Sequence, residues 1–287
     1  PGRARRPARI RSRRKRQVNS EKGKSDMKRI GFFGAGKMAE GILSAIAARK
    51  RVVMAEKSAE RAQYLKDKYG VAVTADVKEV AQKCDLIFLA VRPQDVESVA
   101  VEVKKLLRSG QTLVSIVAGR RLGWLRRQFG SKVRLVRVMP NLALRSGAGM
   151  CAICGAAKTP AEDVAAVEAI LGGAGETVIL KERDFDAVTA LAGSGPAYFA
   201  YMASAMAEGG MKLGLKKDVA LLLAGQTMYG TAKFLRESGM DLGRFIDGVC
   251  TKGGTTAAGM VKMDVPQFKR IVADTLAAAA RRSEELA

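Results

Sequence analysis

From Met27 onward, short apolar blocks alternate with amphipathic stretches. Residues 28–33 read as a strand, and a glycine-rich turn leads into a helix running to about Arg49. Val52–Ala55 reads as a second strand, 59–69 as a helix and 70–73 as a short third strand. DLIFLA over 85–90 is a buried strand that Pro93 ends, and 94–107 is helical. Strands at 112–116 and 133–138 lie on either side of a helix at 122–129. Two more strands, near 148–153 and 176–180, flank a helix at 160–171. Strand and helix alternating at this spacing predict right-handed βαβ units and a parallel sheet.

After about Arg183 the strand signal stops. Long helical periods follow at 196–213, 218–237, 242–249, 255–263 and 266–286. Gly225 and Gly230 cost helix propensity, but they allow close helix approach. Helices that are apolar on several faces must bury them, which makes this half a candidate dimer interface. The expected fold class is α/β, with a doubly wound domain over 27–183 followed by an all-helical domain over 184–287. The 287 residues suit a dinucleotide-binding domain plus a second domain. No apolar run approaches the roughly 18 uncharged residues of a membrane span.

The formal net charge of +22 raises the question of nucleic acid, but the charge is uneven. Residues 1–26 carry eleven Lys or Arg against Glu21 and Asp26, with almost no apolar content. Such a segment is expected to be disordered. Three readings compete for it: translated sequence upstream of the true start, a targeting peptide, or a nucleic-acid-binding arm. Met27 directly precedes the first strand, which favours the first. The tail also lacks the interleaved aromatics of a stacking surface, so no nucleic-acid partner is expected. The remaining basic surface suits steering of an anionic cofactor and substrate.

There is no histidine. Ser-His-Asp, Cys-His and His-ligand metal schemes are thereby excluded. Cys151 and Cys154 form a lone CxxC on an expected strand, where positions i and i+3 face opposite ways. With no second CxxC, no metal site is expected. Four free thiols in a reducing cytoplasm are the plainer reading.

The strongest local motif is Gly34-Ala35-Gly36-Lys37-Met38-Ala39, a GxGxxA that follows an expected strand and opens an expected helix. Gly34 allows the tight turn, Gly36 lets the backbone approach a pyrophosphate, and Ala39 lets the helix pack on the sheet. The helix N-terminus offers N–H groups and a positive dipole end to the phosphates. The plainer reading is a glycine-rich turn without a ligand. Glu56, 20 residues after Gly36, can bind the adenosine ribose hydroxyls, which points to NADH. Lys57, Ser58 and Arg61 point the other way, since they could hold the 2′-phosphate of NADPH.

Six segments in order resemble pyrroline-5-carboxylate reductase across nearly all of residues 28–286. They are IGFFGAGKMAEGIL from Ile30, AVRPQDV from Ala90, SIVAG from Ser115, RVMPN from Arg137, TALAGSGPAYF from Thr189 and GGTTAAGM from Gly253. The resemblance implies a Rossmann domain, a helical domain that dimerises by exchanging helices, and often rings of dimers. It implies NADPH- or NADH-dependent reduction of 1-pyrroline-5-carboxylate to proline; the free thiols already make the expected setting cytoplasmic. The family's cofactor loop falls on Gly34–Ala39 and its nicotinamide-side segment on Ala90, Val91, Arg92 and Pro93. Its substrate-carboxylate loop falls on Gly253, Gly254, Thr255 and Thr256. Two departures stand out. Asn141 is followed by Leu142-Ala143-Leu144 where the family usually has Thr-Pro-Ala, and Thr251-Lys252 replace the usual Ser-Pro.

A cyclic imine bearing a carboxylate needs a hydride donor, an anion site and one proton. The hydride comes from C4 of the reduced nicotinamide. Gly253, Gly254 and Thr255 precede a helix, so their N–H groups can hold the carboxylate. Thr256 is the expected catalytic residue, hydrogen-bonding the ring nitrogen and orienting the imine carbon. The imine nitrogen is basic enough to arrive protonated, so the missing histidine is compatible. Plainer readings stand beside each residue: Thr256 and Ser194 as helix caps, Asn141 as a turn residue rather than a cofactor contact, Arg92 as a surface charge. Met202, Met206 and Met211 read as core filler. The main competing function is a β-hydroxyacid dehydrogenase, which needs a helical-domain lysine such as Lys212 or Lys233. A redox-inactive NAD(P)H sensor is a further option.

Overall fold

The computed structural model describes residues 28–263 and 265–287; the basic segment 1–26, with its three readings, lies outside them. The described residues form two compact units, one reaching to Phe185 and one spanning Asp186–Leu286.

The first unit alternates as the apolar pattern demands. Its elements are β1 (Ile30–Phe33), α1 (Lys37–Ala45), β2 (Val52–Ala55), α2 (Ala59–Tyr69), β3 (Ala72–Thr74), α3 (Val77–Lys83), β4 (Leu86–Leu89), α4 (Val96–Val103), β5 (Thr112–Ser115) and α5 (Leu122–Phe129). They continue with β6 (Arg134–Pro140), β7 (Gly149–Gly155), α6 (Ala161–Leu171) and β8 (Gly175–Ile179). The eight strands form one sheet in the order β3-β2-β1-β4-β5-β6-β7-β8. The order reverses between β1 and β4, which is where open α/β sheets place their ligands. All four residues of β1, β4 and β5 are buried, as expected of strands covered on both faces. Phe32 on β1 stacks on Phe88 of β4 at 4.9 Å. Full burial of a side chain this size is worth about 2–3 kcal/mol.

The pattern and the structure differ at several places. The sheet is mixed: β7 runs antiparallel to β6. Only Asn141–Ala148 joins them, with a 3-10 turn over Leu142–Ser146 and Gly147 at φ +73°. That is too short for the dozen or more residues of a parallel crossover. α3, which the pattern missed, is seven residues long, buries Val77, Val80 and Ala81, and is capped by Asp76 accepting from the Lys78 N–H at 2.8 Å. α1 ends at Ala45 rather than Arg49, because Ile46 turns extended and buries its side chain in the core. The 94–107 helix contracts to α4, preceded by a 3-10 turn at Pro93–Asp95.

The boundary between the units falls within α7 (Phe185–Val188), and a π-helical turn at Thr189–Gly193 follows. The second unit continues with α8 (Gly195–Lys212), α9 (Lys217–Ser238), α10 (Leu242–Val249), α11 (Thr255–Lys262) and α12 (Val265–Glu285). α8 and α9 form a hairpin packed through Ala203, Ala207, Ala220 and Ala224. Phe234 of α9 meets Phe245 of α10 at 5.6 Å. Ser283 near the end of α12 donates to Asp186 at 2.7 Å. Small residues make this core thin. Large apolar side chains face outward instead, among them Leu213 at 88% exposure, Tyr201 at 79% and Leu222 at 69%. Met206 and Met211, expected as core filler, are also exposed. Apolar surface on this scale marks an interaction face.

Buried charges tie the first unit together. Asp163, fully buried in the first turn of α6, accepts from Lys28 and from Arg134 on β6, the latter at 2.8 Å. Burial pushes its carboxyl up, but the two cations outweigh this and hold it below its ordinary value. Arg137 of β6, also buried, pairs with Glu182 at 3.2 Å and lies over the Phe185 ring. Removing one partner of a buried pair leaves the other charge uncompensated. Lys28 and Arg134 are each about a third exposed and can take up water, so Asp163→Asn is expected to cost the first unit about 1–2 kcal/mol, read as a lower urea midpoint for its unfolding with an unchanged m-value.

Candidate functional site

The glycine loop sits at the strand-order reversal. β1 ends at Phe33, and the chain turns at Gly34, whose φ is +90°. A Cβ there would lie 2.8 Å from the Ala90 carbonyl oxygen and 2.9 Å from Val91 Cγ1. Glycine is therefore required twice, for the left-handed backbone and for the close approach of the β4 exit. Gly36 differs: a Cβ there would meet nothing within 4 Å. Its missing side chain leaves open space beside the N-terminus of α1. Gly36 is also the N-cap of α1, with no side-chain capping bond. The first-turn amides of α1 thus face outward, which is the arrangement that takes a phosphate. Ala39 is fully buried, as helix packing on the sheet requires.

A cleft of about 410 Å³ opens from this loop. Gly34, Ala35, Gly36, Glu56, Lys57, Ala90, Val91 and Arg92 line it together. Its size falls within the range of ligand pockets. Glu56 leaves β2 with its carboxylate accepting the Ser58 N–H at 2.9 Å. Arg92 pairs with Asp95 at 2.9 Å and is mostly exposed. Lys37, Met38 and Ala39 stand beside this lining and carry the opening amides of α1, whereas Pro93 and Asn141 lie outside it. Asn141 Oδ1 accepts the Met150 N–H at 3.0 Å, holding the β6–β7 turn.

One residue of this region escapes a sequence reading, and another is placed differently from its expected role at a 2′-phosphate. Glu40, in the first turn of α1, is buried and accepts from Arg61, Tyr64, Lys68 and Tyr69. Arg61 also donates from Nε to the Ala35 carbonyl at 3.0 Å. The pair braces the middle of the glycine loop from the α2 side. Nothing local in the sequence marks Glu40 and Arg61 as partners. Burial pushes the Glu40 carboxyl up, but its four donors outweigh that and lower it to about 2.

The second expected site lies in the helical unit. Gly254 donates its N–H to the Thr251 carbonyl at 2.9 Å, closing a turn with Gly253 at φ +75°. A glycine with positive φ at the third position is the type II requirement, and proline is common at the second. Lys252 occupies that second position here, and the turn still forms. A Cβ on Gly254 would lie 2.6 Å from Thr251 Oγ1. Gly254 caps α11 without a side-chain bond. The Gly254 N–H is used in the turn, so the amides of Thr255, Thr256 and Ala257 are the ones that open α11. Thr256 lies inside the helix rather than at its cap, and its side chain is exposed. Ser194 precedes α8 and likewise makes no side-chain capping bond. It follows the π-helical turn, a feature frequent at functional sites.

Among the described residues, no three His, Cys, Asp or Glu side chains gather as metal ligands. No helix among them is long and apolar enough to cross a membrane. Cys84, Cys151 and Cys154 are buried, and burial pushes the Cys151 thiol up to about 12 and Cys84 to about 11.

Residues 182–286 match the family model described as pyrroline-5-carboxylate reductase dimerisation, and residues 29–119 match one described as NADP oxidoreductase, coenzyme F420-dependent. The chain is 35% identical over 263 residues to a pyrroline-5-carboxylate reductase of Arabidopsis thaliana, covering 90% of this chain and 95% of that protein. A solved pyrroline-5-carboxylate reductase of Coxiella burnetii superposes with a TM-score of 0.87 at 27% identity, covering 91% of this chain and 99% of that one. The Plasmodium falciparum pyrroline carboxylate reductase with NADP bound superposes at 0.79 with 29% identity, covering 90% and 98%.

Gly36→Val fills space that the protein itself does not use. It is expected to leave the melting temperature near that of the parent while weakening dinucleotide binding at least about tenfold, measured by calorimetric titration. The Glu40 network predicts a pH dependence. The folded carboxyl lies below its unfolded value of 4.5, so its stabilisation is complete above that value and is lost as pH falls towards about 2. The advantage of the parent over Glu40→Gln, on the order of 3 kcal/mol near neutrality, is expected to vanish across that window in denaturant unfolding.

Proposed function

The chain belongs to the pyrroline-5-carboxylate reductase family, and from that premise we propose how its own residues carry the reaction. It is an NAD(P)H-dependent oxidoreductase that reduces 1-pyrroline-5-carboxylate to L-proline. The cleft at the β1–β4 reversal suits any dinucleotide enzyme. The observation that favours this substrate is the turn at Thr251–Gly254, which opens α11 with uncapped amides.

Gly34 and Gly36 admit the pyrophosphate to the α1 N-terminus, Glu56 and Lys57 meet the adenosine end, and Ala90–Arg92 border the nicotinamide end. When bound, the reduced nicotinamide supplies a hydride from C4. The amides of Thr255, Thr256 and Ala257 hold the substrate carboxylate, aided by the positive end of α11. The Thr256 hydroxyl hydrogen-bonds the ring nitrogen and fixes which face of the imine carbon is presented. The nitrogen arrives protonated or takes its proton from water or that hydroxyl, so no histidine is needed. Lys252 adds a positive charge beside the carboxylate site and replaces the rigidity of a proline.

The outward apolar faces of α8, α9 and α10 support a homodimer through the helical unit, with rings of such dimers as the larger assembly. Three buried cysteines with no disulfide among the described residues support a reducing, cytoplasmic setting.

The test is turnover of 1-pyrroline-5-carboxylate with NADH or NADPH, against oxidation of β-hydroxy acids. Turnover of the imine alone is expected. Hydroxy-acid oxidation without imine reduction would overturn the reading and direct attention to Lys212 or Lys233. Thr256→Val is expected to lower kcat/KM for the imine by roughly 10–100-fold, with cofactor affinity within about twofold of the parent.

A further inference from the structure

The adenosine end of the cleft carries an acid, and the arginine in the first turn of α2 is engaged elsewhere. We infer that this chain selects NADH over NADPH, with Glu56 as the specificity-determining residue and Arg61 as a positioning residue for the glycine loop. This inference rests on reading the cleft as a dinucleotide site.

Glu56 directly follows β2. Its main-chain N–H donates to the Thr74 carbonyl at 2.9 Å, and its carboxylate accepts the Ser58 N–H at 2.9 Å. Main chain and side chain are both tied down, on a rim shared with Gly34–Gly36. A pyrophosphate at the α1 N-terminus places the adenosine ribose at the end of β2. A fixed carboxylate there accepts from the hydroxyls of a 2′,3′-diol. The same carboxylate repels a 2′-phosphate, which carries nearly two negative charges.

NADPH would need a cation to answer that phosphate. Arg61 donates from Nε to the Ala35 carbonyl at 3.0 Å and from its terminal nitrogen to Glu40 at 2.6 Å. Its guanidinium also lies 5.0 Å from the centre of the Tyr64 ring. Glu40 neutralises its charge, and turning it towards a phosphate would strip a buried carboxylate of a partner and release the Ala35 carbonyl. Arg92 is paired with Asp95. Lys57 remains, an exposed and flexible cation that does no more than balance Glu56.

The experiment is calorimetric titration of the full chain with NADH, NADPH, 5′-ADP and 2′,5′-ADP, alongside Glu56→Ser and Arg61→Met. The parent is expected to bind NADH at least about tenfold more tightly than NADPH, and 5′-ADP more tightly than 2′,5′-ADP. Glu56→Ser is expected to narrow or reverse both ratios. Arg61→Met is expected to weaken both dinucleotides by a similar factor, because the brace serves the loop that both share. Equal or tighter NADPH binding by the parent overturns the inference without any variant. So does an unchanged ratio in Glu56→Ser, or a loss confined to NADPH in Arg61→Met. If no dinucleotide binds the parent, the reading of the cleft itself has failed along with the inference.

Discussion

The turn from β1 into α1 sets the terms for the rest of the first unit. Gly34 must adopt φ +90° while the Ala90 carbonyl passes 2.8 Å from where a Cβ would stand. These two facts bring the exits of adjacent central strands together at the point where strand order reverses. The cleft exists because the backbones approach this closely. α1 then begins at Gly36 with its amides uncapped and open space beside them. A bulkier residue at either glycine would close the approach or fill the space.

Electrostatics in this unit serve position more than surface charge. Glu40 sits one turn into the helix that would receive the phosphates, yet its charge is met by four donors from α2. Through Arg61 it also reaches the Ala35 carbonyl. The buried acid therefore does not repel an anion at the helix N-terminus as an unpaired one would, and it steadies the loop. Asp163 and Arg137 act similarly along β6, tying α6 and the approach to Phe185 onto that strand. An overall charge of +22 conceals this local pairing.

The helical unit is built the opposite way. Its interior contacts are among alanines, and its large side chains face outward. Such a unit is completed only by another surface, consistent with the dimerisation family model that spans it. The Thr251–Gly254 turn is nevertheless closed within one chain, by a single amide bond and a left-handed glycine. This explains how Lys252 can stand where proline is usual.

What the residues by themselves determined is whatever depends on near neighbours. The α2 boundaries follow from Ser58, whose hydroxyl accepts the Arg61 N–H, and from Gly70 at φ +65°. The glycine loop and the turn before α11 are legible because left-handed backbone and uncapped amides are properties of two or three successive residues. Tertiary structure decided the rest. β7 runs antiparallel because a short connection left no room for a crossover. Asn141 holds a hairpin, and the Gly254 amide closes a turn. Arg61, which the sequence offers equally as a phosphate ligand, is taken by Glu40 and Ala35. The physical reason is competition. A polar group has few bonding directions, and which partner fills them depends on what the fold brings near, at separations along the chain that no local pattern encodes.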